Sequence, residues 1–201
     1  PSAGPESAPS CRMFILHIAA AAGAAVSTDL RPIPDAVRSG DAVRYFAFGS
    51  NLLLSKLENR TGFAVLTREL ATVRNHRLAF NMRMFPPLEP AMASIEPSVG
   101  HTCEGVCYTL SADAYDALWR SEGGSMARPG YEEVVVTAEL PGGPAQVLTL
   151  RAAPWMRMQR DSLPSLRYKT LILQGAREAG LSPAYVERLD ALPAAAPSAA
   201  L

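Results

Sequence analysis

A short apolar run followed by a glycine turn, at residues 44–52, is the feature that most limits how this chain can fold. The run RYFAF, residues 44–48, is compact, aromatic and apolar, which predicts a buried β-strand. The residues GSNL that follow, 49–52, tolerate tight backbone geometry. Such a turn can present backbone N–H groups to an anion or a polarised carbonyl. We also expect Ser50 and Asn51 to cap a helix that begins at Leu52; an ordinary capped turn without a ligand is the other interpretation.

The composition indicates one globular domain with tails. The chain has 201 residues and 48% hydrophobic content, which is enough for a substantial core. Its 19 basic and 19 acidic side chains cancel, so no overall field favours nucleic acid, and we expect no nucleic-acid partner. Six basic side chains, against two acidic ones over residues 151–178, form either an anion-binding face or a solvated basic surface. The six are Arg151, Arg157, Arg160, Arg167, Lys169 and Arg177.

The three cysteines, Cys11, Cys103 and Cys107, form no CxxC pair and cannot all pair with one another. This favours a reducing intracellular compartment, cytoplasmic or organellar. Cys103 and Cys107 lie four positions apart in a predicted strand, so they share one face, and we interpret them as buried small apolar side chains. No cluster of His or Cys accompanies them, so we predict no metal site.

Residues 1–42 form a predicted N-terminal extension. Because the sequence begins at Pro1 and not at Met, we expect a segment upstream of it. The run Met13–Val26 is apolar and uncharged; as a helix at ~1.5 Å per residue it reaches ~21 Å, short of the ~30 Å core of a membrane. It is a remnant of a targeting signal, an interfacial anchor or a helix docked on a partner. Each alternative predicts a membrane or protein contact through residues 11–28, and residues 27–40 then form an extended connector.

The body of the domain is predicted over residues 43–193, with a flexible Ala/Pro tail at 194–201. Hydrophobic spacing and turn residues predict strands and helices in a mixed order. The helices are 52–59, closed by Gly62; one capped by Ser111; 165–179; and one that starts at 183. The strands are two within 64–84, around polar residues 74–76; 91–95 and 102–110, separated by a turn at 96–100; and 131–140 and 145–152, joined by a four-residue turn.

Glu122 is the candidate acid or base. It follows a predicted helix whose Trp119 can shield it, and it precedes Gly123 and Gly124, which leave room for a ligand. The alternative from these residues alone is a surface glutamate in a mobile loop.

The octad YFAFGSNL at residues 45–52 resembles, with one substitution, the YFAYGSNL signature of the γ-glutamylcyclotransferase family. Similar segments follow in the family's order: 91–95 with 104–108, the Glu-Gly pair at 122–123 before the Tyr-containing strand at 131, and 164–169 running into 175–181. The resemblance covers about residues 43–193. It implies an α+β fold, a mainly antiparallel, barrel-like sheet surrounded by helices.

The resemblance also implies a reaction, the cyclisation of γ-glutamyl peptides or amines to 5-oxoproline with release of the amino acid or amine. Glu122 would take a proton from the substrate's α-ammonium and later deliver one to the leaving nitrogen. The backbone amides of Gly49, Ser50, Asn51 and Leu52 would hold the substrate carboxylate or the developing oxyanion. No cofactor or metal is implied, because nucleophile and electrophile belong to one molecule.

Two tyrosines and one departure complete the expected site. Tyr131 and Tyr168 match family tyrosines that line the pocket; buried core aromatics with a hydroxyl partner are their other interpretation. Phe48 replaces the second tyrosine of the signature and removes a hydroxyl, at a cost of about 1–3 kcal/mol if that group had bonded the substrate. Phe48, the longer loop after Glu122 and the apolar N-terminal run support an alternative function, an accessory or scaffolding subunit with reduced activity in a larger, membrane-associated assembly.

Overall fold

The structure, a computed structural model, describes residues 33–84 and 89–195. They belong to a compact unit that begins at Ile33. The apolar run 13–26, Cys11 and the tail beyond residue 195 lie outside the described residues, so the expectations for them stay predictions. Within the described ranges, no helix has both the length and the apolar composition that crossing a membrane requires.

A mainly antiparallel sheet, closed into a barrel, forms the centre of the domain. Its strands are β1 (Arg38–Ser39), β2 (Ala42–Ala47), β3 (Thr67–Arg83), β4 (Ala91–Ser111), β5 (Tyr131–Leu140) and β6 (Gly143–Ala152). The sheet order is β1-β2-β4-β3-β5-β6, with antiparallel neighbours. A parallel contact between Tyr45 of β2 and Leu148 of β6 closes the ring. The α+β, barrel-like prediction is therefore confirmed.

β3 and β4 are two long strands, where the sequence predicts four short ones. On β3 only Asn75 separates the two halves of the ladder, while residues 98–101 separate them on β4. Asn75 adopts φ +55°, and its Oδ1 accepts a hydrogen bond from the N–H of Gly100 at 3.0 Å. The polar residues that suggest strand ends therefore lie in a bulge, and both strands continue beyond it.

Within residues 33–84 and 89–195, four helices surround the barrel: α1 (Leu54–Thr61), α2 (Ala112–Ser121), α3 (Leu166–Ala179) and α4 (Pro183–Ala191). The predicted stop of α1 at Gly62 is confirmed, since that glycine adopts φ +78°. The serines before α2, α3 and α4 each accept a backbone N–H into the first turn, as their positions predict. The turn of the β5–β6 hairpin has two residues, not four, because Leu140 already pairs with Gly143.

Residues 33–41 contribute to the domain, where the sequence predicts part of an extended connector. Asp35–Val37 form a 3-10 turn, and Val37 is fully buried in the core. Arg38–Ser39 then pair with β2. The apolar side chain of Val37 explains the difference, because it stabilises this segment against the barrel.

Cys103 and Cys107 are free and buried, which confirms their interpretation as small apolar side chains. The Cys103 Sγ lies 3.6 Å from the hydroxyl oxygen of Tyr185 on α4. Burial raises the pKa of the Cys103 thiol to about 12, so it stays protonated at neutral pH.

Four of the six basic side chains between residues 151 and 177 are in ion pairs. Their partners are carboxylates of the barrel, of the residues just before β4 and of α4, so most of the excess positive charge in this segment is compensated locally. The pairs are Arg151–Glu132, Arg157–Glu132, Arg157–Glu96, Arg167–Glu89 and Arg177–Asp190.

We expect Ser165 to contribute more to the free energy of unfolding than an ordinary surface serine does. Its Oγ accepts from the N–H of Tyr168 at 3.1 Å and donates to Oε2 of the buried Glu89 at 2.6 Å. We expect Ser165→Ala to lower the free energy of unfolding by about 1–2 kcal/mol, measured by urea denaturation, because a cap and a buried carboxylate both lose a partner. Ser162→Ala is the control, since its hydroxyl makes no hydrogen bond within the described ranges; an equal loss in both variants would contradict the prediction.

Candidate active site

The glycine turn leaves β2 and folds into a 3-10 turn, Ser50–Leu52, before α1 begins. The N–H of Leu52 donates to the carbonyl of Gly49 at 3.0 Å. The residue that caps α1 is Leu53, and no side chain caps it. The prediction that Ser50 and Asn51 cap the helix is therefore wrong, because the extra 3-10 turn separates them from it. Their side chains are buried and take other partners.

This turn lines a pocket of about 340 Å³, its open mouth included. The wall is built from the end of β2, the turn, the first residues of β4 and β5, the end of α2, and side chains of β6 and α3. Its residues are Tyr45, Phe48, Gly49, Ser50, Asn51, Met92, Ala93, Glu122, Tyr131, Leu150 and Tyr168.

Glu122 lies at the C-terminal end of α2, where its N–H donates to the carbonyl of Leu118 at 3.0 Å. Its side chain is only 12% exposed. Its Oε1 accepts a hydrogen bond from Asn51 Nδ2 at 3.1 Å and forms an ion pair with Nη1 of Arg60. The structure therefore brings a carboxylate and the glycine turn, 71 positions apart, into one pocket.

The loop after Glu122 packs tightly on the helix before it. A Cβ at Gly124 would lie 2.1 Å from the ring of Trp119, and Gly123 adopts φ +83°. Both glycines are therefore needed for the backbone to turn here. Trp119 supports the loop that follows Glu122.

Tyr131 and Tyr168 line the pocket and also have buried hydroxyl partners. Tyr131 donates to the carbonyl of Ala93 at 2.9 Å, and the N–H of Ala93 donates to the Tyr168 hydroxyl at 3.2 Å. Burial raises the pKa of Tyr168 to about 12 and that of Tyr131 well above its ordinary value. Both rings therefore carry neutral hydroxyls at neutral pH and hold the backbone of Ala93 in place.

Of the predicted binding residues in this region, one lines the pocket and one does not. Phe48 lines the pocket, as expected, and is 5% exposed. Leu52 does not line the pocket. Its N–H donates within the turn, and its side chain packs against α3, where a Cβ added at Gly175 would lie 2.8 Å from the Cβ of Leu52. The expected set of four amides is thus reduced to those of Gly49, Ser50 and Asn51. These three N–H groups make no hydrogen bond with other described residues.

Sequence reasoning missed five residues of this region: Tyr45, Arg60, Met92, Ala93 and Leu150. Tyr45 is the first residue of the octad, and its hydroxyl accepts a hydrogen bond from Asn51 Nδ2 at 3.0 Å. The hydroxyl of Tyr45, close in sequence to the glycine turn, is therefore a signal from which this pocket residue could have been predicted. Arg60 had no local signal, because its pairing with Glu122 spans 62 positions.

The arrangement combines a shielded carboxylate, three N–H groups that no described residue uses and an aromatic wall. A carboxylate in such a place can move a proton, and N–H groups can stabilise an anion that forms beside it. In the part of the chain that the structure describes, no group of three or more His, Cys, Asp or Glu side chains is placed to ligate a metal.

Comparisons with known proteins agree on one family. The chain is 34% identical over 183 residues to gamma-glutamyl cyclotransferase gliK of Aspergillus fumigatus, covering 78% of this chain and 64% of that protein. It is 29% identical over 158 residues to the gamma-glutamylcyclotransferase of Mus musculus, covering 77% and 81% respectively. The chain thus spans less than two thirds of the length of the fungal relative.

A solved structure named gamma-glutamyl cyclotransferase matches with a TM-score of 0.66 at 24% identity, covering 80% of this chain and 93% of its own. No protein-family model matches the chain. The curated relatives show the similarity in sequence, and the solved structure shows the similarity in fold. In sequence and in fold, the chain is similar to γ-glutamyl cyclotransferases.

Proposed function

We propose that the protein is a γ-glutamyl cyclotransferase that converts γ-glutamyl peptides or amines to 5-oxoproline. The single observation that carries the proposal is the pocket in which Glu122 faces the turn at residues 49–51. In the reaction, the substrate's α-amine forms a bond to its own δ-carbonyl carbon, and the bond from that carbon to the leaving nitrogen then breaks. No water, cofactor or metal is consumed.

Glu122 moves the proton in this scheme. The α-ammonium must lose a proton before its nitrogen can attack, and the leaving nitrogen must gain one before it departs as an amine. One carboxylate can do both, as base and then as acid, since the two nitrogens are bonded in turn to the same carbon. The other side chains that line the pocket carry no charge, so the α-ammonium finds its one counter-charge at Glu122.

The N–H groups of Gly49, Ser50 and Asn51 stabilise negative charge. Their residues line the pocket, and the N–H groups are unused by the described residues, so the substrate carboxylate or the oxyanion on the δ-carbonyl oxygen can accept from them. Holding the amine near the carbonyl in a folded substrate supplies up to ~7–11 kcal/mol of the barrier. This explains why a single acid–base group is sufficient.

The activity is tested by incubating the full chain with γ-glutamyl-alanine and measuring 5-oxoproline and alanine by NMR. We expect equal amounts of both products. N-acetyl-γ-glutamyl-alanine is the matched control, because its blocked nitrogen cannot attack, and it should give neither product. Absence of 5-oxoproline from the unblocked substrate would remove the proposal.

Gly49 leaves space that the substrate needs. A Cβ there would lie 3.1 Å from the Cβ of Ala93 and 3.5 Å from the hydroxyl of Tyr168, on the pocket wall. We expect Gly49→Ala to lower kcat/KM about 10-fold or more, since small displacements of a bound substrate cost large factors in rate. The same variant should keep most of its stability, measured by thermal unfolding. An unchanged kcat/KM would show that the substrate does not approach this residue.

A further inference from the structure

The two oxygens of Glu122 have different surroundings. Oε1 receives the N–H of Asn51 and the guanidinium of Arg60. Oε2 makes no hydrogen bond with any described residue, and it is not among the fully buried unpartnered atoms. Oε1 is therefore held by the protein, and Oε2 is available to a molecule bound in the pocket.

Arg60 is well placed to hold an ionised carboxylate at this position. Its side chain is 18% exposed and lies in the last turn of α1, which packs against α2. Glu122 ends α2, where the partial negative charge of the helix terminus disfavours a carboxylate. The guanidinium offsets that charge and, being planar with fixed N–H directions, also fixes the carboxylate's orientation.

Asn51 supports the same oxygen from the other side. The two hydrogens of its Nδ2 go to Tyr45 and to Glu122, which determines the orientation of the amide. Its Oδ1 is buried and has no partner among the described residues. An unpaired buried acceptor costs stability. The amide keeps this orientation because both of its Nδ2 contacts would be lost if it turned over.

We propose that Arg60 is a positioning residue: with Asn51 it holds Oε1 of Glu122, so that Oε2 is the atom that exchanges protons with the substrate. This inference rests on the proposed function, because it assigns the proton-transfer atom of that reaction. Arg60 itself is not among the residues that line the pocket, so its role is to act through Glu122.

The first experiment compares Arg60→Met and Arg60→Lys with the wild type. We expect Arg60→Met to lower kcat about 30- to 100-fold while KM changes by less than about 3-fold, because transition-state positioning is lost and ground-state binding is kept. Arg60→Lys should recover part of the rate, since it restores the charge but not the planar fork. Arg77→Met is the control: it removes an ion pair with Asp161, away from the pocket, and should leave kcat unchanged.

The second experiment adds guanidinium ion at millimolar concentration. It should raise the rate of Arg60→Ala, which leaves a cavity for the ion, but not that of Arg60→Met, whose side chain fills the space. A merely structural role would not separate these two variants. If Arg60→Met fails to fold, Arg60→Lys and the rescue of Arg60→Ala still decide the question.

Two results would overturn the inference: wild-type kcat in Arg60→Met, or a raised KM with unchanged kcat, which would make Arg60 a substrate-binding residue. A measurement without turnover separates this failure from failure of the proposed function. In ¹H–¹⁵N spectra, the guanidinium N–H signals of Arg60 should be protected from exchange in the wild type and lose that protection in Glu122→Gln. Loss of 5-oxoproline formation in the wild type, with this protection intact, would contradict the reaction and not the ion pair.

Discussion

Glu122→Gln should lower the rate of 5-oxoproline formation by about 10²- to 10⁴-fold, the range that a lost general acid–base group produces. Glutamine has the size of glutamate, so the pocket keeps its shape, but its amide cannot take the proton of the α-ammonium. The measurement is kcat with γ-glutamyl-alanine. The contact with the Asn51 amide and the ion pair with Arg60 would both be weakened, so a modest fall in the unfolding midpoint is expected as well.

The matched control for this variant is Glu139→Gln. Glu139 is on β5, half exposed, and its carboxylate lies 3.7 Å from Arg74, outside the pocket. The same chemical change there should leave the rate as it is. Wild-type activity in Glu122→Gln would mean that another group moves the proton, and the proposed mechanism would fail even if the cyclotransferase activity remained.

Gly105→Ala should be the most destabilising single methyl addition in the barrel. Gly105 is on β4, and a Cβ there would lie 2.2 Å from the carbonyl oxygen of Ala47 and 2.7 Å from the ring of Phe46. Both neighbours belong to β2, so the methyl would force apart two paired strands next to the glycine turn. We expect a loss of about 3 kcal/mol in the free energy of unfolding, a large share of the roughly 5–15 kcal/mol of a typical domain.

Urea denaturation of Gly105→Ala and Gly142→Ala tests this expectation. Gly142 is in the hairpin turn between β5 and β6, where an added Cβ meets nothing within 4 Å. That control should change stability by less than about 0.5 kcal/mol. Similar stabilities of the two variants would mean that β2 and β4 can separate at little cost.

Local signals predict the elements that have local causes. The capping serines, the stop of α3 at Gly180 and the β-branched strand at residues 131–140 depend on neighbours in sequence, and the structure agrees with them. The long β3–β4 ladder is not predictable in this way. Its bulge at Asn75 depends on a hydrogen bond with Gly100, 25 positions away, which only the paired strands bring about.

The residues of the site also divide into those that a local sequence pattern predicts and those that it does not. The octad and the Glu-Gly pair are contiguous patterns, so their resemblance to the family signature is enough to nominate Glu122 and the glycine turn. Arg60 depends on the packing of α1 on α2, and the changed position of Leu52 depends on the 3-10 turn, which no residue pattern announces. Contacts between distant elements are set by the packed core, and a single sequence does not report them.

The polar partners of Glu122 among the described residues come from one short piece of chain, since Asn51 and Arg60 lie within residues 45–60. Of the apolar side chains of the pocket, Phe48 belongs to this piece, whereas Met92 on β4 and Leu150 on β6 come from elsewhere. Part of the fit to the ligand is thereby encoded apart from the residues that hold the carboxylate. Substitutions on β4 or β6 can adapt the cavity to a different leaving group, while the segment that governs the carboxylate is inherited intact.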